Sequence, residues 1–109
     1  MAVTSSIKQN DSSPAFTATL RDGDGDVVDL TNATARFLMR NRRTREQKVA
    51  AAASVTDESG GRISYQWLAG DTDTPGVFQV EIEVTFSDET VATFPSDGYH
   101  QLTILAEIN

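Results

Sequence analysis

Residues 78–87 alternate without a break: Phe78, Val80, Ile82, Val84 and Phe86 are apolar, and Gln79, Glu81, Glu83, Thr85 and Ser87 between them are polar. Side chains on a strand point to opposite faces with a period of two, whereas a helix repeats every 3.6 residues. Only a strand with one dry and one wet face separates the two sets, and this segment is predicted to be one. The same phase recurs in Ile63, Tyr65 and Trp67, in Phe16, Ala18 and Leu20, and in Leu102, Ile104, Ala106 and Ile108. Each group predicts a half-buried antiparallel strand. The dry faces put Trp67, Phe78, Val80, Ile82, Val84, Leu102 and Ile104 in the core.

Turn-forming clusters separate these segments: the Asp22-Gly23-Asp24-Gly25 run, residues 57–61, residues 70–76, Ser87-Asp88-Glu89 and residues 95–98. Ala33, Ala35, Phe37 and Met39 add another strand, which ends in the polar run 40–47. Residues 48–56 carry four consecutive alanines, which favour helix. Val49, Ala51, Ala53 and Val55 nevertheless fall on one strand face, and a helix would interrupt a consistent β series, so a strand is expected there too. The chain of 109 residues has room for one core. The expectation is therefore a single domain over residues 1–109, all-β, a β-sandwich of two antiparallel sheets with about seven to nine strands. With no cysteine, neither a disulfide framework nor a thiolate metal cluster is available, and packing alone must hold the core.

A net charge of -7 argues against nucleic acid as the main partner. The longest apolar stretch, residues 49–53, is too short to span a bilayer, so no membrane partner is expected. The opening Met-Ala-Val-Thr-Ser lacks the basic-then-apolar order of a signal peptide, and the expected place of synthesis is the cytoplasm.

Three groups of residues invite a chemical reading. Asp22, Asp24, Asp26 and Asp29 crowd one turn, and carboxylates at alternate positions can converge on calcium. An EF-hand loop would need glycine where Val27 stands and glutamate where Ala33 stands, so the turn reads as a hairpin capped by aspartates. Asp71 and Asp73 read the same way, and no metal is expected. Glu81 and Glu83 share the wet face of one strand with Cα atoms about 6.5–7 Å apart, a separation within reach of glycosidase carboxylates. Regular alternation predicts a solvated face there, not a cleft that would raise one pKa. His100 is the single histidine, and no nucleophile elbow, phosphate loop or dinucleotide fingerprint accompanies it. No catalytic residue and no cofactor is expected.

Charge is distributed unevenly. Arg36, Arg40, Arg42, Arg43, Arg45 and Lys48 lie within thirteen positions of an otherwise acidic chain. Such a run forms either a solvated hairpin tip or a docking site for an acidic neighbour, including another copy of the same chain. Arg40, Arg42, Arg43, Arg45 and Lys48 are the candidate docking residues.

Two stretches together carry a family resemblance. One is Ile63-Ser64-Tyr65-Gln66-Trp67 continuing through Gly70-Asp71-Thr72-Asp73-Thr74-Pro75-Gly76-Val77-Phe78 to Glu81; the other is Val91-Ala92-Thr93-Phe94-Pro95-Ser96-Asp97-Gly98-Tyr99. With Asp24-Gly25 ahead of Val28-Asp29-Leu30-Thr31, they resemble the N-terminal immunoglobulin-like domain of phage baseplate upper proteins over residues 7–108. The resemblance implies a β-sandwich that joins virion proteins to one another. The expected function is thus a non-enzymatic structural protein of a tailed-phage virion. It would be a tail or baseplate module, present in several copies of a symmetric assembly, that docks onto the tail hub, tail tube or capsid. A capsid decoration protein is the alternative, and a carbohydrate-binding sandwich a further one. The last would need exposed aromatic platforms, yet Tyr65 and Trp67 fall in phase with Ile63 on the core face.

Overall fold

A computed structural model describes residues 4–95 and 98–108. Ser96 and Asp97 of the second family-like stretch, Met1 to Val3 of the opening run, and Asn109 lie outside the described residues. The described chain is all-β. Its strands are β1 (Thr4–Lys8), β2 (Phe16–Thr19), β3 (Thr34–Asn41), β4 (Gln47–Asp57), β5 (Arg62–Tyr65), β6 (Gly76–Thr85), β7 (Val91–Phe94) and β8 (His100–Leu105). They follow one hydrogen-bonded path, β1-β8-β6-β3-β4-β5-β2, with β7 beside β6.

Two long strands make that path continuous. The first half of β6 pairs with β8 and its second half with β7. Likewise β4 pairs with β3 as far as Ala53, and from Ser54 onward with β5. The ladder therefore passes through β4 from one side of the molecule to the other and forms a curled, mixed sheet. The curl brings β2 back over the middle strands, where the Phe16 ring lies 5.1 Å from Phe37 and 5.0 Å from His100. One pair departs from the expected antiparallel pattern: β1 runs parallel to β8, Thr4 opposite Gln101 and Lys8 opposite Leu105. Parallel neighbours need a long crossover, and the chain between β1 and β8 supplies it.

Burial follows the alternation. Trp67, Phe78, Val80, Ile82, Val84, Leu102 and Ile104 all retain 4% exposure or less. Phe37, wholly buried, is the hub of an aromatic cluster, stacked on Tyr65 at 4.3 Å and met edge-on by Phe16 and Trp67. Edge-on and offset ring pairs of this kind add stabilisation beyond their buried area. The alanine-rich segment is strand β4, with Val49 buried and Ala51, Ala53 and Val55 half-buried on the same face. A β strand wins over alanine's helical preference because this stretch has partners on both sides, β3 and then β5.

Two strands are shorter than the alternation predicts. Trp67 lies beyond the end of β5 yet stays in the core, its indole N–H donating to the Pro14 carbonyl at 3.1 Å. At the other end, β8 stops at Leu105, and Ile108 is 98% exposed. The ladders explain this: β6 begins opposite Ile104 and β1 ends opposite Leu105, so residues beyond have no strand to pair with.

Candidate functional site

The basic run forms the β3–β4 hairpin. Its loop, residues 42–46, is held from within by Asn41, a residue type that favours such turns because its side chain bonds nearby backbone. The Asn41 side-chain oxygen accepts from the amides of Arg43 at 2.9 Å and Thr44 at 3.0 Å. Its backbone carbonyl accepts from Arg45 at 2.9 Å, and its amide donates to the Glu46 carbonyl at 2.8 Å. Arg45 sits at φ 67, which closes the turn. The loop is a capped turn of defined shape.

The five candidate docking residues separate into two groups. Arg40 donates through Nε to Gln79 at 2.6 Å, and Arg42 reaches Gln101 at 3.4 Å while its amide bonds the Val77 carbonyl at 3.0 Å. Both lie across the wet face of β6 and β8. Lys48 is the extra residue where the β3–β4 register shifts, Met39 facing Val49 and Arg40 facing Gln47. It meets Asp73 at 2.5 Å, and that ammonium, with the Thr74 hydroxyl, holds the Asp73 carboxyl below its usual range. Arg43 and Arg45 are exposed and make no ion pair or side-chain hydrogen bond among the described residues. The chemistry left to the tip is that of two guanidinium groups on a fixed backbone, ready for bidentate pairing with carboxylates.

The other chemical candidates are used internally. Asp22 accepts from the amides of Asp24 at 2.9 Å and Asp26 at 3.0 Å, and Asp29 accepts from the Thr31 amide and hydroxyl. These carboxylates cap their turns, and the bonds from Thr31 lower the Asp29 pKa. Among the described residues no group of three His, Cys, Asp or Glu side chains is placed to hold a metal ion. Glu83 faces Arg36 at 3.9 Å across the wet sheet face, and Glu81 lies on the same face opposite Leu38.

Two polar anchors escaped the reading of the sequence. The Tyr65 hydroxyl donates to Asp71 at 2.5 Å, and the same carboxylate oxygen accepts from the Leu68 amide. Burial, then this bond and the Asp71 charge, push the Tyr65 pKa well up. Thr72, 3% exposed, donates to the Asp11 carbonyl at 2.9 Å. Together they pin residues 66–75 to the core. The signal for them in the sequence is the Gly70-Asp71-Thr72 turn, whose aspartate reads as a turn cap and whose threonine carries no pattern that marks it as buried.

His100 stands at the seam where the curled sheet fails to close. A hollow of about 700 Å³ lies there, bounded by Phe16, Leu20, Val80, Ile82, Phe94 and His100. The imidazole Nε2 and the Ser5 hydroxyl are 2.8 Å apart, a hydrogen bond whose direction follows the tautomer. Half-burial holds the His100 pKa below its ordinary 6.5. Because the folded value is the lower one, the neutral ring's stabilising contribution is complete above about pH 6.5 and is lost as the pH falls through the folded value. An NMR titration of this single imidazole is expected to show a midpoint below 6.5; a midpoint at or above it would mean that the ring is solvated.

No protein-family model matches the sequence, and no curated protein matches it either. Among solved structures, the crystal structure of CopC from Methylosinus trichosporium OB3b is similar, with a TM-score of 0.58 and 12% identity. The match covers 99% of this chain and 89% of that one. At that identity the similarity is one of fold.

Proposed function

We propose that this chain is a non-enzymatic structural component of a tailed-phage particle, a tail or baseplate module whose β3–β4 tip docks onto neighbouring virion proteins. The observation that carries the reading is the tip: Arg43 and Arg45 are exposed on a turn whose backbone Asn41 locks, while nearby Arg40, Arg42 and Lys48 already have partners. A rigid presentation lowers the ordering cost of an interface, and arginine is the residue enriched where interfaces pair with carboxylates. The resemblance to baseplate upper proteins supports the same reading. We read the curled sheet as an immunoglobulin-like sandwich, with β2 and β5 as one layer and β3, β6 and β8 as the other, a description in keeping with that role. The packing of Phe16 and Tyr65 on Phe37 favours that description.

Exposed arginines contribute little to a fold. Replacing Arg42, Arg43 and Arg45 with serine is expected to change stability by less than about 1 kcal/mol. Incorporation of the triple variant into particles is expected to fall well below that of the parent. Equal incorporation with an unchanged melt would place the docking surface elsewhere on the domain.

A further inference from the structure

The arginine tip and most of the unpaired acidic charge occupy opposite ends of a body measuring 46 × 23 × 20 Å. Strand directions establish this. β3 runs from Thr34, opposite Thr85, to Asn41, opposite Phe78, and the tip follows Asn41. The β6–β7 turn follows Thr85, so Asp88 and Glu89 stand at the far end. The turn after β4 joins them there, because Glu58 accepts from Leu30 and Asn32 just ahead of β3. Leu20 bonds Gly61 at 2.7 Å, which brings the 22–26 aspartate turn to the same end. Arg21 beside these described turns and Arg62 at the first position of β5 are the basic residues that adjoin them.

We infer that the arginine tip of one copy docks onto the acidic far end of a second copy, so that the domains associate head to tail. This rests on the reading of the tip as the docking element and names its partner. The charge pattern favours this arrangement over others. Each copy carries -7, so packing side by side with like ends together sets carboxylates against carboxylates. End to end, the body centres stand roughly one long axis apart, several times the Debye length of about 8 Å at physiological salt, and the overall repulsion is screened. A guanidinium and a carboxylate about 4 Å apart at the junction are not screened in that way. At this end the bonds from Thr31 and Thr90 hold the Asp29 and Asp88 carboxyls below their usual range. Because the two contact patches differ, the contact is heterologous and repeats from copy to copy, closing into a ring or extending as a filament.

Sedimentation velocity on the full chain tests this. At about 0.1 M salt the mean mass is expected to rise above 11.8 kDa with concentration, and to return to it at about 1 M, where the Debye length is near 3 Å. Two variants separate the faces: Arg43→Ser with Arg45→Ser at the tip, and Asp24→Asn with Glu89→Gln at the far end. None of these four side chains makes an ion pair in the described structure. Each variant is expected to weaken association by about tenfold, as loss of a few charge pairs does. An equimolar mixture retains one intact tip and one intact acidic end, and is expected to give mainly a two-chain species, with longer ones reduced about tenfold relative to the parent. A parent chain that stays monomeric up to about 1 mM would overturn the inference. So would an association that neither variant weakens, or one that salt leaves unchanged. A monomeric parent whose tip variant still fails to enter particles would show that the tip binds a different virion protein. That result refutes self-docking and leaves the docking reading standing, whereas equal particle entry by the tip variant refutes the docking reading.

Discussion

Replacing Phe37 with alanine is expected to cost about 3–5 kcal/mol, the range for large aromatic truncations in a packed core. That is a large share of the 5–15 kcal/mol that typically separates folded from unfolded domains. The ring is wholly buried and touches three others, Phe16 from β2, Tyr65 from β5 and Trp67 beyond it. Because β2 and β5 reach the middle strands through these rings, the cavity would loosen the curl as well as remove buried area. Urea titration measures the effect directly. A loss below about 1 kcal/mol would mean that the far strands are held by their ladder alone and that the cluster is incidental. Phe37→Leu, which refills most of the volume, is expected to recover a substantial part of the loss.

The second large effect is expected at Gly61, in the turn between β4 and β5. Its φ is +65, a region that L side chains occupy at a cost of roughly 1–2 kcal/mol. A Cβ there would come within 2.7 Å of both the Val28 carbonyl oxygen and the Val27 side chain, and 3.0 Å from the Leu20 carbonyl. Backbone atoms cannot swing away as a lysine tip would, so strain and steric overlap add. Gly61→Ala is expected to destabilise by about 3 kcal/mol or more, equivalent to a fall in Tm of roughly 10 °C or more for a domain of this size. Gly23→Ala provides the control, since nothing lies within 4 Å of its added methyl and its φ is not positive. It is expected to leave Tm within a few degrees. Equal effects at the two positions would refute the close approach at Gly61.

Period-two alternation reported faithfully on faces, which is why Phe78, Val80, Ile82, Val84, Leu102 and Ile104 emerged as core from residue order alone. It reported poorly on where strands end. Ala106 and Ile108 keep the phase of β8 but have no partner strand, and partner availability is a property of the whole sheet. The parallel seating of β1 on β8 was illegible for the same reason, because the two strands lie at opposite ends of the chain. In the basic run, charge and loop position could be read, but not the division of labour within it. Gln79 and Gln101 engage Arg40 and Arg42 only because antiparallel register sets them side by side, and Asp73 meets Lys48 through a local register shift. Asn41 was the one part of this arrangement with a local signal, being a turn-favouring residue just ahead of the loop it caps.

The seating of β1 beside β8 also decides how the domain responds to tension. Thr4 opposes Gln101 and Lys8 opposes Leu105, so the chain enters at one end of this ladder and leaves at the other. Pulling the two ends apart drags the strands past each other lengthwise, and the register pairs share the load together instead of opening one at a time. Yielding under force is governed by the height of the unfolding barrier rather than by equilibrium stability. A module strung between two neighbours through its ends would therefore act as a stiff link that gives way abruptly.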